Sequence, residues 1–321
     1  MSSCQCASST EHEATPPSLL SMGSPSTTPS SEEQETLDVA QLHRAIRTLT
    51  PLHADKHEPG PHDWLASHQE GGQTFDAYRR DDPVIPDLDR SPGKRHTLYI
   101  QRLGSLTPTQ DEIVELTAQY MHRFFGVPVK LAKPLPMTLV PDSARRTHPS
   151  TGTRQILTSY VLNNVLQPRL PDDAVAYISL TASDLWPGAG WNFVFGQASL
   201  TERVGVWSVH RYGDPDESDA AFRRALMRTI KVAVHETGHM FSMKHCTAHE
   251  CVMGGSNNLD ETDRAPVWLC PQCMAKMCWA THTDPIERYA KLAKFMRKRG
   301  FTEEAAFFER SMVALSSATS R

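Results

Sequence analysis

The run His235-Glu236-Thr237-Gly238-His239, followed by His245 and Cys246, limits what this chain can fold into more than any other stretch. It reads H-E-x-x-H-x-x-x-x-x-H-C. Positions four apart on a helix share a face, so a helix here aims the imidazoles of His235 and His239 at one point. Zinc takes neutral imidazole nitrogens at roughly 2.0–2.1 Å in a tetrahedral set. Glu236, the next residue round the helix, reaches the space beside that ion. With three protein ligands and one open position, zinc makes a nucleophile of water near neutral pH. The third ligand, His245, cannot stay on the same helix. Six more helical residues would turn it by about 600° and raise it about 9 Å. The helix must therefore end soon after His239, and the chain must swing back. A left-handed glycine usually makes such a turn, but here the position holds Ser242. A left-handed residue other than glycine costs roughly 1–2 kcal/mol. A zinc site contributes roughly 10 kcal/mol or more, so the metal outweighs the strain.

A second metal pattern starts at the next residue. Cys246 and Cys251 are separated by four residues, Cys270 and Cys273 by two. Both spacings suit structural zinc, where paired thiolates hold the ion through bonds of roughly 2.3 Å and leave no open position. Neighbouring side chains of an extended segment point to opposite sides. His245 is thus expected to face one zinc and Cys246 the other, with the two sites sharing a wall. A redox-active Cys-x-x-Cys would leave Cys246 and Cys251 unexplained. Cys278 reads as a buried or free thiol, and His249 as an exposed loop residue.

The remaining composition excludes several classes. Of the 321 residues, 39% are hydrophobic, enough for a core. A formal charge of −4 gives no electrostatic reason to expect nucleic acid or an acidic membrane as a partner. Seven cysteines do not make a disulfide framework in a chain this long. Met1 to Thr10 lack the basic and apolar blocks of a signal peptide, and no run approaches the ~20 apolar residues that span a bilayer. The expectation is a monomer in a reducing compartment, cytoplasm or nucleus.

Residues 1–36, rich in Ser, Thr, Pro and Glu, are expected to be disordered. Residues 37–95 form an N-terminal extension: a helix over 37–52, then a loop-rich stretch anchored by Trp64, Phe75 and Tyr78. Residues 96–321 form the main domain. There the pattern predicts a strand at 96–103, a helix opened by Thr107-Pro108, a short strand at 127–132 and a helix at 155–166. Strands follow at 174–181, 191–199 and 203–209. The helix carrying His235 runs from about Asp219, and helices at 285–299 and 303–315 close the chain. The fold class is α+β, a mixed sheet with helices packed on it.

The H-E-x-x-H run with a further His six residues on resembles the metzincin branch of zinc peptidases. Flanking residues sharpen the resemblance to the archaemetzincins. They are Cys246, the segment Cys251-Val252-Met253, the segment Leu269-Cys270-Pro271-Gln272-Cys273, the run Trp191–Ser199, and Asp63-Trp64-Leu65-Ala66. The resemblance covers about residues 60–300 and departs from the family pattern at Ser242. It implies a zincin-like mixed sheet with an active-site helix and a methionine turn. It also implies a catalytic zinc on His235, His239 and His245 with Glu236 as general base, a second zinc on Cys246, Cys251, Cys270 and Cys273, and Met253 in a turn below the catalytic metal. Zinc peptidases often leave a strand at the sheet edge, where an extended peptide adds as one more strand. Asn192, Phe193, Val194, Phe195 and Gly196 are the residues expected to serve there. The function expected is hydrolysis of peptide or protein substrates with two Zn²⁺ per chain. The rival is a zinc-stabilised peptide-binding module, catalytically weak or inactive because Ser242 loosens the site.

Overall fold

The computed structural model describes residues 31–84, 86, 94–199 and 201–319. Most of the expected disordered tail, residues 1–30, lies outside them, and a helix already runs from Ser31. That helix, α1 (Ser31–Leu49), buries Leu42, Ala45, Ile46 and Leu49. Two short helices follow in the loop-rich extension, α2 (Trp64–Ser67) and α3 (Phe75–Arg80). Their anchors Trp64, Phe75 and Tyr78 are all buried.

The main domain opens with β1 (Thr97–Leu103) and α4 (Pro108–Phe125). Thr107 and Gln110 cap α4 reciprocally, side chain to backbone in both directions, which stops the chain from extending β1. Next come β2 (Val129–Leu131), β3 (Arg145–Thr147), β4 (Arg154–Leu157), a helical stretch α5 (Thr158–Tyr160) that continues as a wider π-turn to Leu166, then β5 (Ala174–Thr181) and β6 (Asp184–Trp186). β7 (Gly196–Ser199) and β8 (Val204–Ser208) complete the strands.

The larger sheet has the order β2-β1-β5-β8-β7. All its neighbours pair in parallel except β7, which runs antiparallel to β8 at the edge. β5 is buried along its whole length, as its largely apolar sequence, broken only by Ser179 and Thr181, suits a central parallel strand. Helices α4 and α6 (Asp219–Met240) pack on one face. On the other lies a smaller core with a three-stranded sheet, β3-β4-β6. Beyond α6 come α7 (Leu259–Arg264), α8 (Pro271–Thr281), α9 (Pro285–Lys298) and α10 (Thr302–Thr319).

Two expectations are corrected. Residues 155–166 do not form one helix, because Arg154–Leu157 pair with Thr147–Arg145 and with Asp184–Trp186 as β4. The buried Gln155 amide donates to Asp184 Oδ2 at 2.7 Å and to the Asn192 carbonyl at 2.9 Å, and this pairing overrides the local helical pattern. The strand expected over 191–199 begins only at Gly196. Asn192 and Phe193 lie outside any strand, and Val194 makes a single bridge to Leu185. The backbone there is bonded to the smaller sheet, since the Asn192 carbonyl also accepts from Arg146 at 2.9 Å. Gly196 itself is forced: a Cβ would lie 2.4 Å from the Trp207 indole.

Candidate active site

α6 starts at the Ser218 cap, carries His235, Glu236 and His239, and ends at Met240. Its exit is a two-bond left-handed cap. The Met243 N–H returns to the Gly238 carbonyl at 3.1 Å and the Ser242 N–H to the His239 carbonyl at 2.8 Å. Ser242 takes φ +63°, the left-handed conformation that the spacing of His245 demands. Its hydroxyl accepts from the Val84 N–H at 3.0 Å.

This exit swings His245 back onto the helix face. The candidate ligand atoms of His235, His239 and His245 all lie within 4.8 Å of one another. Each ring is oriented through Nδ1. His235 bonds the Val252 carbonyl at 2.8 Å, and His239 the Met243 carbonyl at 2.6 Å. His245 bonds both carboxylate oxygens of Glu70 at 2.9 Å. An Nδ1 that donates leaves a bare lone pair on Nε2 of a neutral ring. The Nε2 atoms of His235 and His239 then face each other at 3.0 Å, and Nε2 of His245 is buried with no hydrogen-bond partner. Burial, reinforced by the neighbouring imidazoles, pushes His235 down to about 3 and His239 also well below the ordinary range. Three neutral donors aimed at one point suit a cation.

The second cluster lies against the first. The sulfurs of Cys246, Cys251, Cys270 and Cys273 also fall within 4.8 Å of one another, and all four residues are buried. The Cys251 sulfur accepts the N–H groups of Met253 and Cys270 at 3.5 and 3.2 Å. The fully buried Lys276 reaches the Cys273 sulfur at 3.8 Å. Four thiolates around a divalent ion carry a net charge of about −2, which an ammonium partly offsets. Cys278 is apart from this set, beside Met274, with burial raising its thiol to about 12. His249 is apart too, and is not the exposed residue expected: its side chain is mostly buried, 3.2 Å from Asp55. Met253 lies directly under the active helix: a Cβ on Gly238 would sit 2.6 Å from its sulfur. The Met253 carbonyl accepts the Cys246 N–H at 2.8 Å, so this turn, the thiol cluster and His245 form one unit.

The sequence model of Peptidase family M54 matches residues 130–278. Archaemetzincin-2 from Macaca fascicularis is 33% identical over 297 residues, covering 82% of this chain and 81% of its own. Archaemetzincin-2 from Homo sapiens is 35% identical over 266 residues, covering 74% and 72%. The chain belongs to the archaemetzincins. It is a zinc metallopeptidase that acts on peptide or protein substrates. A crystal structure of the archaemetzincin from Methanopyrus kandleri is 27% identical and covers 60% of this chain and 98% of its own, with a TM-score of 0.46. Zinc, implied by the family, fits the donors present here: the His245 Nε2 is buried without a hydrogen-bond partner, and the Nε2 atoms of His235 and His239 face each other at 3.0 Å.

The N-terminal extension of this archaemetzincin is part of the site. Glu70 lies in it, as does Trp64, whose ring meets His245 edge-on at 5.1 Å. The Tyr78 hydroxyl donates to the Phe241 carbonyl at 2.7 Å, and Gln73 accepts the Lys244 N–H at 3.2 Å. The extension thus straps the turn between the helix and the third imidazole. No periodicity in residues 53–95 signals Glu70. Lys231 and Lys276 were within reach of sequence reasoning, four residues before His235 and three after Cys273.

Beside the imidazoles lies a cleft with a cavity volume of about 50 Å³. Its walls include Trp64, Phe195, Lys231, Val252 and Ala265, together with Glu236, which is 5% exposed. Of the five residues expected at the edge strand, Phe195 alone lines this cleft, while Gly196 starts the edge strand itself. Burial pushes the Lys231 ammonium down to about 8, against the pull of the Asp263 charge.

Proposed function

We propose that Glu236 is the general base of peptide hydrolysis at a zinc held by His235, His239 and His245, and that a second, structural zinc sits on Cys246, Cys251, Cys270 and Cys273. The observation that carries this reading is the convergence of three Nε2 atoms beside a cleft that Glu236 also lines. The ion, when bound, supplies Lewis acidity that activates water and stabilises the oxyanion of the tetrahedral intermediate. Glu236 takes a proton from the attacking water and delivers it to the leaving amine. The carbonyls of Val252 and Met243 and the Glu70 carboxylate hold the three imidazoles in the neutral tautomer that leaves Nε2 free. The outer edge of β7, last in the sheet, offers its backbone to an extended substrate as an added strand. Met253 fills the space below the ligands and keeps Gly238 close.

The rival reading, a peptide-binding module with little turnover, requires Ser242 to loosen the turn. Both capping hydrogen bonds are made there, which favours catalysis. The test pairs the zinc-loaded chain with its Glu236→Gln variant on a peptide library read by mass spectrometry. The parent is expected to cleave and to hold two zinc ions by elemental analysis. The variant is expected to keep both ions and its melting temperature and to lose about 10²–10⁴-fold in rate. Parent-like turnover by the variant would refute the assignment of Glu236.

A further inference from the structure

Lys231 sits one turn before His235 on the same face of α6 and lines the same cleft. It is only 8% exposed. Its Nζ donates to the carbonyls of Thr262 and Asp263, each at 3.0 Å, at the end of α7. An ammonium has three hydrogens, so one remains. The carbonyls bring partial charge only. The Asp263 carboxylate is committed elsewhere, to Arg228 Nη2 at 2.5 Å and Nε at 2.9 Å. Among the described residues, no carboxylate lies within ion-pair distance of Lys231 Nζ.

A buried charge without a counter-charge is unfavourable in an apolar setting. The surroundings here are apolar: Trp64, Phe195, Val252 and Ala265 form the neighbouring walls. The same walls keep water away once a ligand fills the cleft, which strengthens any charge pair formed inside. A lysine needed only to cap α7 could do so from the protein surface. This one is placed one helical turn from a catalytic ligand and inside the substrate cleft.

We propose that Lys231 determines specificity by receiving a substrate carboxylate, either an acidic side chain close to the scissile bond or the C-terminal carboxylate of a short peptide. The third ammonium hydrogen makes the contact, with a charge that Asp263 and Glu304 stabilise only from beyond ion-pair distance, and the apolar walls hold the aliphatic part of the residue that bears the carboxylate. The proposal deepens the reading of this cleft as the peptide site and rests on it.

The experiment reads binding apart from turnover. The zinc-loaded chain carrying Glu236→Gln is titrated into fluorescein-labelled octapeptides of alternating Ala and Leu, and anisotropy is followed. Glu, Gln or Leu is placed at each of the four central positions in turn. A second series is shortened from the C-terminal end, as free acid and as amide. Charge-assisted hydrogen bonding in a dry site predicts that Glu binds about 10- to 100-fold more tightly than Gln at one position, or the free acid than the amide at one length. The first result identifies a side-chain carboxylate and the second a chain end. Lys231→Met should abolish that ratio. Lys231→Arg, which keeps the charge, should retain most of it, with thermal melting confirming that both variants fold. Equal binding of Glu and Gln at every position together with equal binding of acid and amide overturns the proposal. So does an acid preference that survives Lys231→Met. Hydrolysis of the tightest peptide by the chain with Glu236 intact is measured separately. Its failure would count against the catalytic reading and leave the binding ratio to decide the role of Lys231.

Discussion

Ser242→Gly and Ser242→Ala together measure what the turn at the end of the active helix costs. Ser242 is left-handed at φ +63°, a conformation that costs a residue other than glycine roughly 1–2 kcal/mol. Glycine removes that cost. It also removes the hydrogen bond from the Val84 N–H to the Ser242 hydroxyl, worth about 0.5–1.5 kcal/mol net. Glycine further adds about 0.4–1 kcal/mol of unfolded-state entropy. The terms nearly cancel, so glycine should change stability by about 0.5 kcal/mol or less, where strain alone would have predicted a gain. Alanine keeps the strain and loses the hydrogen bond, and should destabilise by about 1 kcal/mol. Glycine should therefore melt above alanine, the reverse of the order at a right-handed helical position. The assay is denaturant unfolding of the three zinc-loaded proteins, with affinity at the three-histidine site measured by chelator competition. Zinc affinity should follow the same order, because the turn delivers His245. An alanine variant more stable than the glycine variant would refute the claim that left-handed strain is stored at this residue.

Glu70→Ala should weaken zinc at the three-histidine site by about 10–100-fold, since the carboxylate fixes the His245 ring through Nδ1. Glu70→Gln, which retains an acceptor, should recover part of the loss, and equal affinity in all three proteins would contradict the orienting role. Cys273→Ser should lower the zinc content by one ion and destabilise the fold by several kcal/mol, because three buried sulfurs and Lys276 would be left around a broken site. A variant that melts with the parent would show that the thiol cluster is not structural. Brief chelation should strip the ion on the imidazoles before the ion on the thiolates, because the imidazoles border an open cleft. Simultaneous loss of both, followed by elemental analysis, would count against that order.

Much of the metal region was legible in the sequence because short-range geometry dictates it. A four-residue spacing on a helix places His235 and His239 side by side, and the six-residue spacing to His245 requires a left-handed exit. That exit is observed at Ser242. Cysteine spacing likewise anticipated one cluster from two distant pairs. The parallel core strand at 174–181 and the capped helix after Thr107 were legible because burial on both faces and reciprocal capping leave local marks. The errors fell where long-range pairing decides. Residues 154–157 carry a helical pattern yet form β4, because Gln155 finds Asp184 and Asn192 from other parts of the chain. The edge strand is short for the same reason, its first residues being held by the smaller sheet. Glu70 is the clearest case. It lies 175 residues from His245 in a loop without periodicity, and only the folding of the extension over the turn brings the two into contact. Local spacing thus determined which residues can share a metal. The three-dimensional packing decided what orients them and what charge lies in the cleft beside them.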